Sequence, residues 1–192
     1  MKKILVTFLV VLLLPGCLPA VLVAGAGVGV AGSAIIYDQR STKGIVEDRD
    51  VTFQTQNRLD SDKELHAQAH ISIATFNRIA LLVGQAPDNE LRNRAESIAK
   101  SNSNIKMLYN EVTVEQPISN SARANDSWIT TKVKTTLLTA PDLNSVSLKI
   151  VTENGVVYLM GLTTRTQAQI ATDKTRTVAG VQKIVKLFEY IN

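Results

Sequence analysis

Ser147-Leu148-Lys149-Ile150-Val151-Thr152-Glu153-Asn154-Gly155-Val156-Val157-Tyr158-Leu159-Met160-Gly161 alternates, turns and runs back. Asn-Gly between alternating apolar residues is a strong local hairpin signal, because both turn positions tolerate positive φ. The same pattern stands earlier at a constant offset of 77, from His70-Ile71-Ser72-Ile73 through Asn77-Arg78 to Ile79-Ala80-Leu81-Leu82-Val83-Gly84. A fold built on this hairpin is therefore built twice.

Each hairpin leads into a helical pattern. In the first copy Pro87-Asp88 opens it and Leu91, Ala95 and Ile98 share a face; in the second Ala168, Ala171, Thr175 and Val178 do so before Gly180 ends it. A closing strand follows, Ile105 to Val114 in one copy and Val181 to Ile191 in the other. Upstream lie further helices, Asp50 to Leu59 and Asp126 to Thr139, with Asp126 suited to the N-cap. The order is αββαβ twice, which predicts an α+β chain of two tandem domains, each a small three-stranded sheet packed on two helices. The first domain is expected over 45–116, a Pro-, Ser- and Asn-containing linker over 117–125, and the second domain over 126–192.

Ahead of the domains, Lys2-Lys3 precedes an apolar run from Ile4 to Leu14, then Pro15-Gly16 and the sole cysteine, Cys17. A basic start, a short apolar core and a small residue before the cut make a secretory signal over 1–16. Leu14-Pro15-Gly16-Cys17 resembles a bacterial lipobox, whose cysteine is acylated to an N-acyl diglyceride and becomes the first mature residue. Cleavage there leaves 176 residues whose sole cysteine, Cys17, is lipidated, so no free thiol remains, which excludes disulfides, thiol catalysis and thiolate metal sites from the mature chain. By the same resemblance, Leu18 in place of an aspartate permits export, so the expected location is the outer membrane, facing the periplasm. Residues 17–44 read as lipidated cysteine and tether. Within them, Ala20 to Ile36 is a Gly- and Ala-rich apolar stretch that fits a pliant tether near the bilayer, the alternative being a second span. Gly27-Val28-Gly29-Val30-Ala31-Gly32 matches the dinucleotide pattern without the strand and βαβ unit that give it meaning.

Charge divides the chain. Ile45 to Ile118 carries eight Lys/Arg against eleven Asp/Glu, and Ser119 to Asn192 nine against five. An acidic half followed by a basic one points to a partner for one half only.

These features resemble the BON-domain family, a bacterial envelope module with this αββαβ unit and an apolar hairpin ending in Gly. The likeness is carried by two copies of the unit behind a lipobox and, in the second copy, by Asp126-Ser127-Trp128-Ile129, Glu153-Asn154-Gly155 and Leu159-Met160-Gly161-Leu162. The resemblance implies a non-enzymatic lipoprotein. It further implies that the second domain binds anionic phospholipid, phosphatidylglycerol or cardiolipin, and that the protein supports outer-membrane integrity and gathers at division sites.

The helix from Asp126 tests that implication independently. At about 100° per residue, Ile129, Val133, Thr136 and Leu137 form one stripe centred about 130° from Trp128. That stripe faces the core. Trp128, Thr135 and Leu138 then point outward with Lys132 and Lys134 beside them, which suits a headgroup region, where indole rings settle and each lysine contributes about 1 kcal/mol. The lipid-binding set is accordingly Trp128, Lys132, Lys134, Thr135 and Leu138. The alternative is that Trp128 folds under a sheet edge or the interdomain joint while Leu138 caps the core.

Other chemistry is thin. His66 and His70, four apart, lack a third ligand, so no metal or other cofactor is expected. The acids at Asp48/Asp50, Asp60/Asp62/Glu64 and Asp88/Glu90 read as solvated linkers and helix starts. Basic residues without interleaved aromatics argue against nucleic acid. A protein adaptor, docking an outer-membrane assembly protein or a cell-wall amidase regulator without direct headgroup binding, is the second functional class.

Overall fold

A computed structural model describes residues 40–191. The first domain runs α1 (Thr42–Ser61), α2 (Lys63–Gln68), β1 (His70–Phe76), β2 (Ile79–Ala86), α3 (Asn89–Lys100), β3 (Met107–Asn110) and β4 (Thr113–Val114). The second runs α4 (Asn120–Leu138), a 3-10 turn (Ser145–Ser147), β5 (Leu148–Glu153), β6 (Val156–Thr163), α5 (Arg165–Arg176) and β7 (Lys183–Tyr190). In each, an antiparallel hairpin is joined by a strand that returns through a helix to lie parallel to the hairpin's second strand. The duplicated α+β reading therefore describes this chain.

Both hairpins turn through paired positive φ, Asn77 at 49° with Arg78 at 64°, and Asn154 at 47° with Gly155 at 74°. Arg78 has a Cβ, and the left-handed conformation costs such a residue about 1–2 kcal/mol. A buried carboxylate offsets it. Asp48 accepts the backbone N–H of Asn77 at Oδ2 (2.6 Å) and of Arg78 at Oδ1 (2.8 Å). Hydrogen bonds to a charged acceptor contribute about 1.5–3 kcal/mol each, enough to hold the turn. The terminal glycines reflect close strand approach. A Cβ on Gly84 (φ 122°) would stand 1.8 Å from the His70 carbonyl oxygen, and one on Gly161 would stand 2.7 Å from that of Ser147.

Several boundaries differ from the sequence reading. α1 begins at Thr42 rather than Asp50, capped by Ser41, whose hydroxyl accepts from Gly44 N at 3.0 Å. Asp48 is thus a buried helical residue, 3% exposed, and not part of a solvated linker. α4 begins at Asn120, inside the expected 117–125 linker, and its cap is Ser119 rather than Asp126. The physical reason is the same in both copies: a carboxylate placed mid-helix reaches across to a turn, so the helix must extend past it. The first sheet also carries a fourth strand, because the closing segment is interrupted at Glu111-Val112 and resumes beside β2 as β4.

Among the described residues, three apolar clusters hold the two domains together. One packs Leu59, Leu65, Ile73, Leu82 and Leu91 under the first domain's helices, and one packs Ile129, Val133, Leu137, Leu159 and Ala171 under the second's. The third joins Ala74, Phe76, Leu81 and Val83 to Tyr158, Met160 and Leu187, so the two sheets meet through the faces their own helices leave uncovered. Strand β2 is consequently buried on both faces, which explains its unbroken apolar run. Burying each large side chain here contributes about 1.5–3 kcal/mol. Polar ties cross the same junction: Gln85 Nε2 donates to Glu153 Oε1 at 2.7 Å and Asn77 Nδ2 to Glu189 Oε1 at 2.8 Å. Each domain thus buries a core of its own, and the third cluster joins the two.

Candidate membrane interface

Helix α4 buries Asp126, Ile129, Val133 and Leu137 along one stripe, leaving the opposite side to solvent. Asp126 accepts Asn154 N at Oδ2 (2.8 Å) and Gly155 N at Oδ1 (2.9 Å), which fixes the helix's rotation about its axis against the hairpin. With that rotation set, Trp128 is 60% exposed and Leu138 68% exposed. They stand ten residues apart, about 15 Å along the helix.

Between them the surface is uncharged. Thr131 and Thr135, both exposed, donate their hydroxyls to the carbonyls of Ser127 and Thr131, each at 3.0 Å, so their hydroxyl protons are taken up within the helix. A lysine flanks this strip on either side. Lys132 is half-buried and donates to the Ala179 carbonyl, while Lys134 is exposed. Neither forms an ion pair among the described residues. Trp128, Lys132, Lys134, Thr135 and Leu138 are therefore brought to one side of one helix. Cys17 lies outside the described residues.

The sequence reading missed a neighbour. On α1, Val46 (54% exposed) and Phe53 (66% exposed) lie seven residues apart, hence on one face, with the exposed Arg49 between them. The seven-residue spacing was the available signal; starting the helix at Asp50 concealed it. His66 and His70 stand at the end of α2 and the start of β1, and no group of three or more metal-ligating side chains occurs among the described residues. No helix among the described residues is long and apolar enough to cross a membrane.

A family model described as the BON domain matches residues 47–116 and again 125–192. The chain is 30% identical over 192 residues to the outer membrane lipoprotein DolP of Haemophilus influenzae, covering 100% of this chain and 97% of that one. It is 32% identical over 154 residues to a 21 kDa hemolysin of Actinobacillus pleuropneumoniae, covering 80% and 79% of the two. The C-terminal domain of CdsD, a type III secretion structural protein of Chlamydia trachomatis, aligns over 76% of this chain and 67% of its own at 13% identity and TM-score 0.31, too low to bear on the fold.

Proposed function

This chain belongs to the BON-domain family as a tandem outer-membrane lipoprotein, and on that premise we propose that α4 docks the second domain on anionic phospholipid. Acylation of Cys17 anchors the chain, and α4 supplies the specific contact. The observation that carries the reading is the exposed pair Trp128 and Leu138 on an uncharged strip between two lysines that have no acid partner among the described residues. A soluble surface gains nothing from presenting an indole and a leucine together, whereas the bilayer interface accepts both. One helix binds weakly, and the acyl anchor raises its effective concentration at the leaflet. Holding anionic lipid in this way supports outer-membrane integrity. Concentration at division sites belongs to the same proposal, tested by imaging a fluorescent fusion of the wild type beside Trp128→Ala.

The direct test uses soluble residues 36–192 and phosphatidylglycerol vesicles. The double variant Trp128→Ala/Leu138→Glu loses vesicle binding while its circular dichroism is unchanged, and Lys134→Gln flattens the salt dependence of the wild-type binding. Full binding by the folded double variant would return α4 to the adaptor reading, in which it docks another envelope protein.

A further inference from the structure

Between α1 of the first domain and β5 and α4 of the second opens a groove of about 620 Å³. Its lining is mainly apolar, with Ile45, Phe53, Phe76, Leu148 and Ile150 contributing. Among the described residues four cations also line it, Arg40, Arg49, Lys134 and Lys149, against a single carboxylate, Asp48. That carboxylate is already engaged: it accepts from Arg40 at 2.7 Å and from the N–H groups of Asn77 and Arg78.

Lys149 is the unusual member. Half-buried, it donates to the Thr75 carbonyl at 3.0 Å and forms no ion pair among the described residues, which leaves donors without a strong acceptor. Desolvation first, then repulsion from Arg40 and Lys134, push its pKa below the ordinary lysine value, with Asp48 acting the other way. A second polar group is left over nearby. Thr75, which also lines the groove, is 1% exposed and its hydroxyl has no hydrogen-bond partner among the described residues. A shielded cation needs an anion, and an orphaned buried hydroxyl needs a polar partner.

Charge favours an anionic occupant, and the apolar lining favours one with a hydrocarbon part. The groove also shares Lys134 with α4, one turn before Leu138, so it opens beside the surface assigned above to the membrane. We propose that the groove seats one anionic phospholipid molecule, its phosphate held by Arg49, Lys134 and Lys149 and an acyl chain lying against Phe53 and Leu148. This rests on the lipid reading of α4 for its setting, but it is a separate site: α4 meets a surface, and the groove takes a single molecule. Its volume falls within the range of small-ligand sites, about 300–1,000 Å³.

The test removes the membrane surface. Residues 36–192 are titrated with dihexanoyl phosphatidylglycerol below its micelle concentration, and amide shifts are followed by NMR. Saturable shifts are expected at Phe53, Leu148 and Lys149, absent with dihexanoyl phosphatidylcholine and with glycerol phosphate. The double variant Arg49→Gln/Phe53→Ala, altered only at exposed side chains, should bind about tenfold more weakly or worse. Trp128→Ala should leave the groove shifts intact while losing vesicle binding. Absence of groove shifts, equal shifts with phosphatidylcholine or glycerol phosphate, or their loss in Trp128→Ala would each overturn the proposal. Groove binding retained by a protein whose vesicle binding ignores Trp128→Ala would instead sink the α4 reading and leave the groove standing.

Discussion

Asp126, buried in the middle of α4, accepts at Oδ1 the backbone N–H of Gly155 from 2.9 Å, across 29 positions of sequence. Its other oxygen takes Asn154 N, and Asp48 does the same for Asn77 and Arg78 in the first domain. Each domain thus ties its first helix to its hairpin turn by one carboxylate. Asp126→Ala leaves two turn N–H groups short of a charged acceptor and is expected to cost about 2–4 kcal/mol, read from urea unfolding. Asp126→Asn should recover part of the loss, since an amide can accept one of the two bonds.

Neighbouring residues on α4 should separate cleanly into surface and core. Trp128→Ala is expected to change stability by no more than about 0.5 kcal/mol, as for other exposed positions. Ile129→Ala, at 0% exposure, should cost about 2–5 kcal/mol in the same measurement. Equal losses would show that the indole carries packing.

The sheet-to-sheet junction makes the stability of one domain depend on the other. Leu81→Ala removes a fully buried side chain packed in the cluster that includes Tyr158 and Met160, and should lower stability by about 2–5 kcal/mol. The distinguishing readout is hydrogen exchange. Protection should fall in β6 of the second domain as well as in β2, where the substitution sits.

Glu153 gives the protein a pH dependence of known sign. Burial is the main cause raising its carboxyl pKa above the ordinary 4.5, with the Gln85 hydrogen bond opposing it. A raised folded pKa means that the native state holds the proton longer than the unfolded chain. This group's contribution therefore becomes less favourable as pH rises from about 4.5 through its folded pKa, and the penalty is fully present above that. Glu153→Gln should remove that fall, so the variant's stability relative to wild type should improve between pH 4 and pH 7 in parallel urea titrations, about 4 being the usual unfolded carboxylate range.

The hairpins were legible because their information is local: alternation sets two faces, and Asn-Gly or Asn-Arg at the turn needs no distant partner to be read. The outward direction of Trp128 and Leu138 followed from helical period and the apolar stripe of Ile129, Val133 and Leu137. Asp48 and Asp126 were misread because an acid near a helix start is ordinarily a cap or a solvated charge, and nothing local marks one that will reach 28 or more positions away to a turn. Phe53 was not legible because it lies on the side of α1 opposite the buried Val51, Thr55 and Leu59, and its partner Val46 fell outside a helix read from Asp50.

Local periodicity and turn chemistry, repeated 77 residues apart, by themselves determined that this chain forms two small α+β units and which side of α4 faces water. Only the tertiary structure decided that the sheets stack on each other, that Lys149 is shielded beside Thr75, and that a groove lined by both domains runs next to α4. Each of those depends on contacts between residues far apart in the chain, where burial and charge are set by what another domain brings rather than by the neighbours in sequence.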